Sequence, residues 1–149
     1  MPVKQTTPPQ AYRTLSSDPS VIYLDVRTEA EFTVGHPEGA INIPVIFFDL
    51  ATRQPSPNPN FQAVVEANIA KGVTVIVGCQ AGGRSQRAAE LMQQAGYSDV
   101  TNMQGGFGGG QTPAGRVIAG WRDAGLPIGT DNGDGVSYAS LAAKAGVSS

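Results

Sequence analysis

The chain has 149 residues, with 10 Lys and Arg against 12 Asp and Glu, 19 Gly, 11 Pro, one His and one Cys. That is the size of one domain able to bury about two-thirds of its unfolded surface, and Gly plus Pro stay below the roughly 25–30% that marks disorder. A net charge of -2 with both signs scattered argues against nucleic acid and anionic membrane as partners, while one Cys and one His exclude an intrachain disulfide and leave no ordinary zinc ligand set.

The N-terminal MPVKQTTPPQAYRTL holds no apolar run of signal-peptide type, and no stretch approaches about 18 consecutive apolar residues. A soluble protein of a reducing cytoplasm is expected. In chain order, Pro8–Ser16 predicts a helix with Thr7 as cap and prolines in its first turn. Val21-Ile22-Tyr23-Leu24, ending at Asp25, reads as a buried strand. Ile41-Asn42-Ile43 is a weaker strand, and Gln54–Asn60, with three prolines, reads as an irregular surface loop. Phe61–Ala70 carries Phe61, Val64, Val65 and Ile69 at helical spacing.

Val73–Val77 is apolar on both faces, as at the centre of a parallel sheet covered on both sides. Ser85–Ala95 predicts a helix stopped at Gly96, and Val100–Met103 another strand. Gly105–Gly110 (GGFGGG) is too glycine-rich for regular structure. Arg116–Ala124, with Val117, Ile118 and Trp121, predicts a helix, and Ser137–Ala145 a short one. Strands alternating with helices imply a small three-layer α/β domain, with a central, mainly parallel sheet flanked by helices. Residues 5–128 form this domain, and 129–149 read as a C-terminal extension with a short helix.

The densest chemical signal is Cys79-Gln80-Ala81-Gly82-Gly83-Arg84-Ser85, between the best strand and the best helix. A strand end, a glycine turn and a helix start make a cradle of backbone N–H groups at the positive end of a helix dipole. A thiol there favours its anionic, nucleophilic form. Gly82 and Gly83 allow positive φ angles, so that successive N–H groups point inward, and Arg84 adds a permanent cation. By position alone a lone Cys at a strand end is a small buried hydrophobe; a core thiol, however, has no need of the Gly-Gly-Arg-Ser that follows.

Asp25, Arg27 and Glu31 read as a structural charge bridge supporting this region, His36 as a structural turn residue, Trp121 as core, and Arg87 as part of a solvated helix face. GGFGGG lacks the spacing of a dinucleotide or Walker loop. Asp131–Gly135 puts glycine where a calcium loop needs its third and fifth ligands.

The loop resembles the active-site loop of rhodaneses. Asp25-Val26-Arg27-Thr28-Glu29-Ala30-Glu31-Phe32 through Gly35-His36-Pro37-Glu38-Gly39-Ala40-Ile41-Asn42-Ile43-Pro44 is similar to that family's N-terminal signature. Gly105-Gly106 followed by Trp121 and Gly125-Leu126-Pro127 is similar to its C-terminal one. Pro37 stands where the family more often has an aliphatic residue, and the spacer between Gly106 and Trp121 is longer and richer in glycine.

The resemblance implies a sulfurtransferase. Cys79 would be the catalytic nucleophile, with Gln80, Ala81, Gly82, Gly83, Arg84 and Ser85 holding the substrate, and no metal or cofactor is called for. The partners implied are a small sulfur donor such as thiosulfate and a cyanide, thiol or protein acceptor. Four residues separate Cys79 from Arg84; in this family that loop suits a single sulfur, and related phosphatases and arsenate reductases carry one more residue to surround a wider oxyanion. A phosphatase or arsenate reductase on the same scaffold, and a persulfide carrier for a partner protein, are the alternatives.

Overall fold

The computed structural model describes residues 2–49 and 51–147. Its central sheet is formed by β1 (Lys4–Thr6), β2 (Ile22–Asp25), β3 (Ile41–Asn42), β4 (Val75–Gly78) and β5 (Val100–Met103). These five strands lie in the order β1-β5-β4-β2-β3, and every neighbouring pair is parallel. The helices are α1 (Pro8–Ser17), α2 (Glu29–Val34), α3 (Phe61–Asn68), α4 (Gly83–Gln94) and α5 (Tyr138–Lys144). Among the described residues no helix is long and apolar enough to cross a membrane.

Strand alternation divides the apolar residues between two faces. Leu24, Val75 and Val77 pack with Val64 and Val65 of α3, Ala88 and Met92 of α4, and Tyr138 and Leu141 of α5. Tyr23 and Ile76 face the other way, toward Ala11 of α1, Phe32 of α2 and Trp121. The expected central strand is thus β4: all four of its residues are buried, and its register places Val77 beside Leu24 on one side and Asn102 on the other. That strand delivers Cys79 to the C-terminal edge of the sheet, where open parallel sheets place their ligand sites.

Three expectations differ from the structure. Arg116–Ala124 is not helical: Val117–Ile118 pairs antiparallel with Gly110–Gln111, and residues 121–125 are turns. Val117 is 74% exposed, so its spacing with Trp121 marks no core face. A Cβ on Gly120 would stand 2.3 Å from the Gly109 nitrogen, a contact only glycine allows. Trp121 is buried as expected, with its indole N–H donating to the Pro127 carbonyl at 2.7 Å.

In the proline-rich stretch, Pro55–Pro57 pairs antiparallel with Ile46–Phe48. Its three residues are all exposed, the edge position where a strand tolerates proline's missing donor. Finally, the expected short helix forms as α5, but it is built into the core rather than appended to it. Tyr138 is 1% exposed, Asn68 Nδ2 donates to the Leu141 carbonyl at 3.0 Å and Asn58 Nδ2 to the Tyr138 hydroxyl at 3.1 Å. Residues 148 and 149 of the proposed extension lie outside the described residues.

Helix α2 has no counterpart among the expected elements. Its signal is Thr28-x-x-Glu31, a capping box in which Thr28 Oγ1 accepts from Glu31 N at 3.3 Å and Glu31 Oε1 accepts from Thr28 N at 3.2 Å.

Candidate active site

Cys79 follows β4 directly and its side chain is buried, 2% exposed. The chain then turns through Gln80–Gly82 into α4. Gly82 takes the left-handed conformation (φ 115°) as the cap residue of α4 and makes no side-chain cap, so no neighbouring hydroxyl or carboxylate caps the first turn of the helix. Gly83 has no positive φ: it opens the helix, and only Gly82 uses glycine's freedom here. The Gly82 N–H donates to Cys79 Sγ at 3.1 Å, and Ser85 Oγ, completely buried on α4, lies 3.3 Å from the same sulfur.

The cations around the loop are paired with carboxylates. Arg84 donates to both oxygens of Glu31, from Nη1 at 2.7 Å and Nη2 at 3.0 Å, and its guanidinium sits 5.8 Å from the Phe48 ring centroid. Asp25 and Arg27 form a separate buried pair with Nη2 to Oδ2 at 2.8 Å. Arg27 Nη2 also donates to the Gly35 carbonyl at 2.7 Å, and Nη1 reaches Gln80 Oε1 at 3.4 Å. The expected charge set of Asp25, Arg27 and Glu31 is therefore two bridges, one of which ties α2 to the loop through Arg84. His36 is buried, stacked on Phe32 with centroids 3.7 Å apart, and Arg87 is exposed beside Glu90.

Burial alone would raise the Glu31 carboxyl, but the hydrogen bonds and charge of Arg84, helped by Thr28, hold it at about 2. A folded value below the ordinary 4.5 makes this bridge fully stabilising above that pH, and the contribution is lost as pH falls toward 2. For a partly exposed pair the loss comes to roughly 1–2 kcal/mol after solvent screening. Glu31→Gln, which can keep the helix cap, is expected to flatten that part of the stability curve. Urea unfolding of both proteins between about pH 5 and pH 2 checks this, and parallel curves would refute it.

The sequence offered no purpose for the GGFGGG segment; the structure supplies one. Phe107 N donates to the Cys79 carbonyl at 2.8 Å and Gly108 N to the Gln80 carbonyl at 2.9 Å, so this segment's backbone braces the cysteine loop from outside. A Cβ on Gly106 (φ 55°) would lie 2.4 Å from Cys79 O, and one on Gly110 would lie 2.5 Å from Ala81 O. Glycine is needed for that approach. Phe107 further lies under Arg27, 4.6 Å from its guanidinium carbon. Also missing from the sequence reading is Asn102, 3% exposed at the end of β5, whose Oδ1 accepts from Ser85 Oγ.

A strand-borne thiol, a glycine-capped helix and an Arg-Ser pair closing the loop match one family of domains. The model of the rhodanese-like domain matches residues 7–112, and the chain belongs to that family. It is 41% identical to thiosulfate sulfurtransferase 16, chloroplastic, of Arabidopsis thaliana, over 57% of this chain and 69% of that one. It is 37% identical to thiosulfate sulfurtransferase 18 of the same plant, over 73% of this chain and 72% of that one. Three other curated relatives are longer, and the chain spans 45–49% of their length. Among solved structures, the crystal structure of Rv0390 from M. tuberculosis superposes with a TM-score of 0.71 at 31% identity, covering 88% of this chain and 100% of that one.

Proposed function

We propose that this protein is a sulfurtransferase that carries sulfane sulfur on Cys79. Its thiolate attacks the outer sulfur of a donor such as thiosulfate; the new S–S bond forms as the donor's own S–S bond breaks, and sulfite leaves with the electron pair. Cyanide or a thiol then attacks the outer sulfur of the Cys79 persulfide, takes it as thiocyanate or a new persulfide, and returns the thiolate. This is covalent catalysis in two half-reactions.

The observation that carries the reading is the Gly82 N–H directed at Cys79 Sγ from the start of α4. A donor in that position stabilises negative charge on the sulfur and on the departing or arriving thiolate. The six-residue loop from Cys79 to Arg84 supports a single sulfur rather than a tetrahedral oxyanion. Both arginines are engaged by carboxylates, so the loop amides bind the donor beside an Arg84 whose charge is shared with Glu31. Cys79 is the chain's only cysteine, so the persulfide has no intrachain resolving thiol and the acceptor comes from outside.

Steady-state thiocyanate formation from thiosulfate and cyanide tests the reading. Parallel double-reciprocal lines, the pattern of a substituted-enzyme intermediate, are expected. Persulfide formation without turnover would point to a sulfur carrier for a partner protein, and phosphate release from an aryl phosphate would point to the phosphatase chemistry.

A further inference from the structure

Behind Cys79, side chains form a hydrogen-bonded line that leads away from the reacting face. Ser85 Oγ is 3.3 Å from Cys79 Sγ, 3.2 Å from Gly82 O and 2.5 Å from Asn102 Oδ1. Asn102 Nδ2 donates to Gln5 Oε1 at 2.9 Å, and Gln5 Nε2 donates to the Val3 carbonyl at 3.3 Å and to Gln86 Oε1 at 2.7 Å. The direction of this line is set from its far end. The Val3 carbonyl only accepts, so the Gln5 nitrogen must face it, and Gln5 therefore offers its oxygen to Asn102. Asn102 must then present its own oxygen to Ser85.

A serine hydroxyl has one proton. With Asn102 Oδ1 as its close partner, Ser85 spends that proton on Asn102 and shows Cys79 a lone pair. That arrangement accepts an S–H proton and suits the neutral thiol. Negative charge on Cys79, as thiolate or persulfide, calls instead for a donor. The hydroxyl can supply one by rotating toward Sγ, at the cost of its bond to Asn102, while the Gly82 N–H serves the sulfur in both states.

We propose that Asn102 is a positioning residue that tunes Cys79 through Ser85, by competing with the sulfur for the Ser85 hydroxyl proton. The inference rests on the reading of Cys79 as the reacting sulfur, yet it can be tested without any sulfur transfer. Iodoacetamide reports thiolate directly: the sulfur forms a bond to the reagent's methylene carbon and iodide leaves. The charged and titratable groups around the loop are Arg84 with Glu31, Arg27 with Asp25, and the phenol of Tyr23; none is altered in the variants below.

In Asn102→Leu the freed hydroxyl turns to the sulfur, and the midpoint of the pH–rate profile for Cys79 alkylation is expected about 0.5–1 pH unit lower, the scale of one hydrogen bond. Adding Asn102→Leu to Ser85→Ala is expected to move it no further than Ser85→Ala alone. Gln5 is exposed on β1, so Gln5→Leu provides a surface route to the same point. With Gln5 gone, Asn102 can turn its amide nitrogen toward Ser85, and the midpoint again falls. An unchanged midpoint in folded Asn102→Leu or, should that variant not fold, in Gln5→Leu would overturn the proposal. So would a shift by Asn102→Leu that persists without Ser85. A lowered midpoint in a protein that forms no thiocyanate would uphold the relay while rejecting sulfurtransfer.

Discussion

Cys79→Ser is expected to reduce thiocyanate formation to the uncatalysed background, a loss of at least about 1000-fold, the scale on which removing a nucleophile is felt. The substitution changes little else. Serine occupies nearly the same volume at a site that is 2% exposed, and its oxygen can still accept from the Gly82 amide. The brace from Phe107 N to the carbonyl of residue 79 is a backbone bond and survives. The hydroxyl, however, remains protonated at neutral pH and cannot hold sulfane sulfur. An unchanged melting temperature together with lost turnover is the expected pair of results. Turnover retained within about tenfold would move the chemistry away from Cys79.

The second large effect is expected far from Cys79 in sequence. At Gly106, valine must occupy φ 55° and place a Cβ 2.4 Å from Cys79 O and 2.6 Å from Gln80 O. Neither oxygen can retreat freely, because each already accepts a hydrogen bond, from Phe107 N and Gly108 N respectively. Backbone strain and lost bonds together are expected to cost about 3 kcal/mol. Displacing the loop by even a fraction of an ångström is expected to lower turnover about 100-fold. Gly72→Ala provides the comparison: a Cβ there meets nothing within 4 Å and the φ is ordinary. If Gly106→Val kept both stability and turnover, the segment would not brace the loop.

These two positions also mark what the sequence made legible. Cys79 was visible because β4 is buried on both faces and so reads as an unbroken apolar run, ending where glycine and a helix start coincide. The role of Gly106 was not. A glycine-rich stretch announces permissive backbone, but which carbonyl it approaches is a fact of tertiary packing, here 27 residues away from Cys79. The same limit hid Asn102, a polar residue in a strand whose partners come from α4 and β1.

Arg84 is legible as a permanent cation of the loop, but its carboxylate partner is not, because Glu31 lies 53 residues away on another helix. That helix was legible in principle through Thr28-x-x-Glu31. Val117, Ile118 and Trp121 misled in the other direction: three apolar residues at helical spacing belong to a two-residue strand and a turn, because glycines at 115, 120 and 125 interrupt any helix there.

Intact mass measurement after exposure to thiosulfate tests the central claim most directly. The wild-type protein is expected to gain the mass of one sulfur atom, to lose it on addition of cyanide or a thiol, and to gain nothing when Cys79 is serine. An absent adduct in the wild-type protein, or one that persists in Cys79→Ser, would contradict the account.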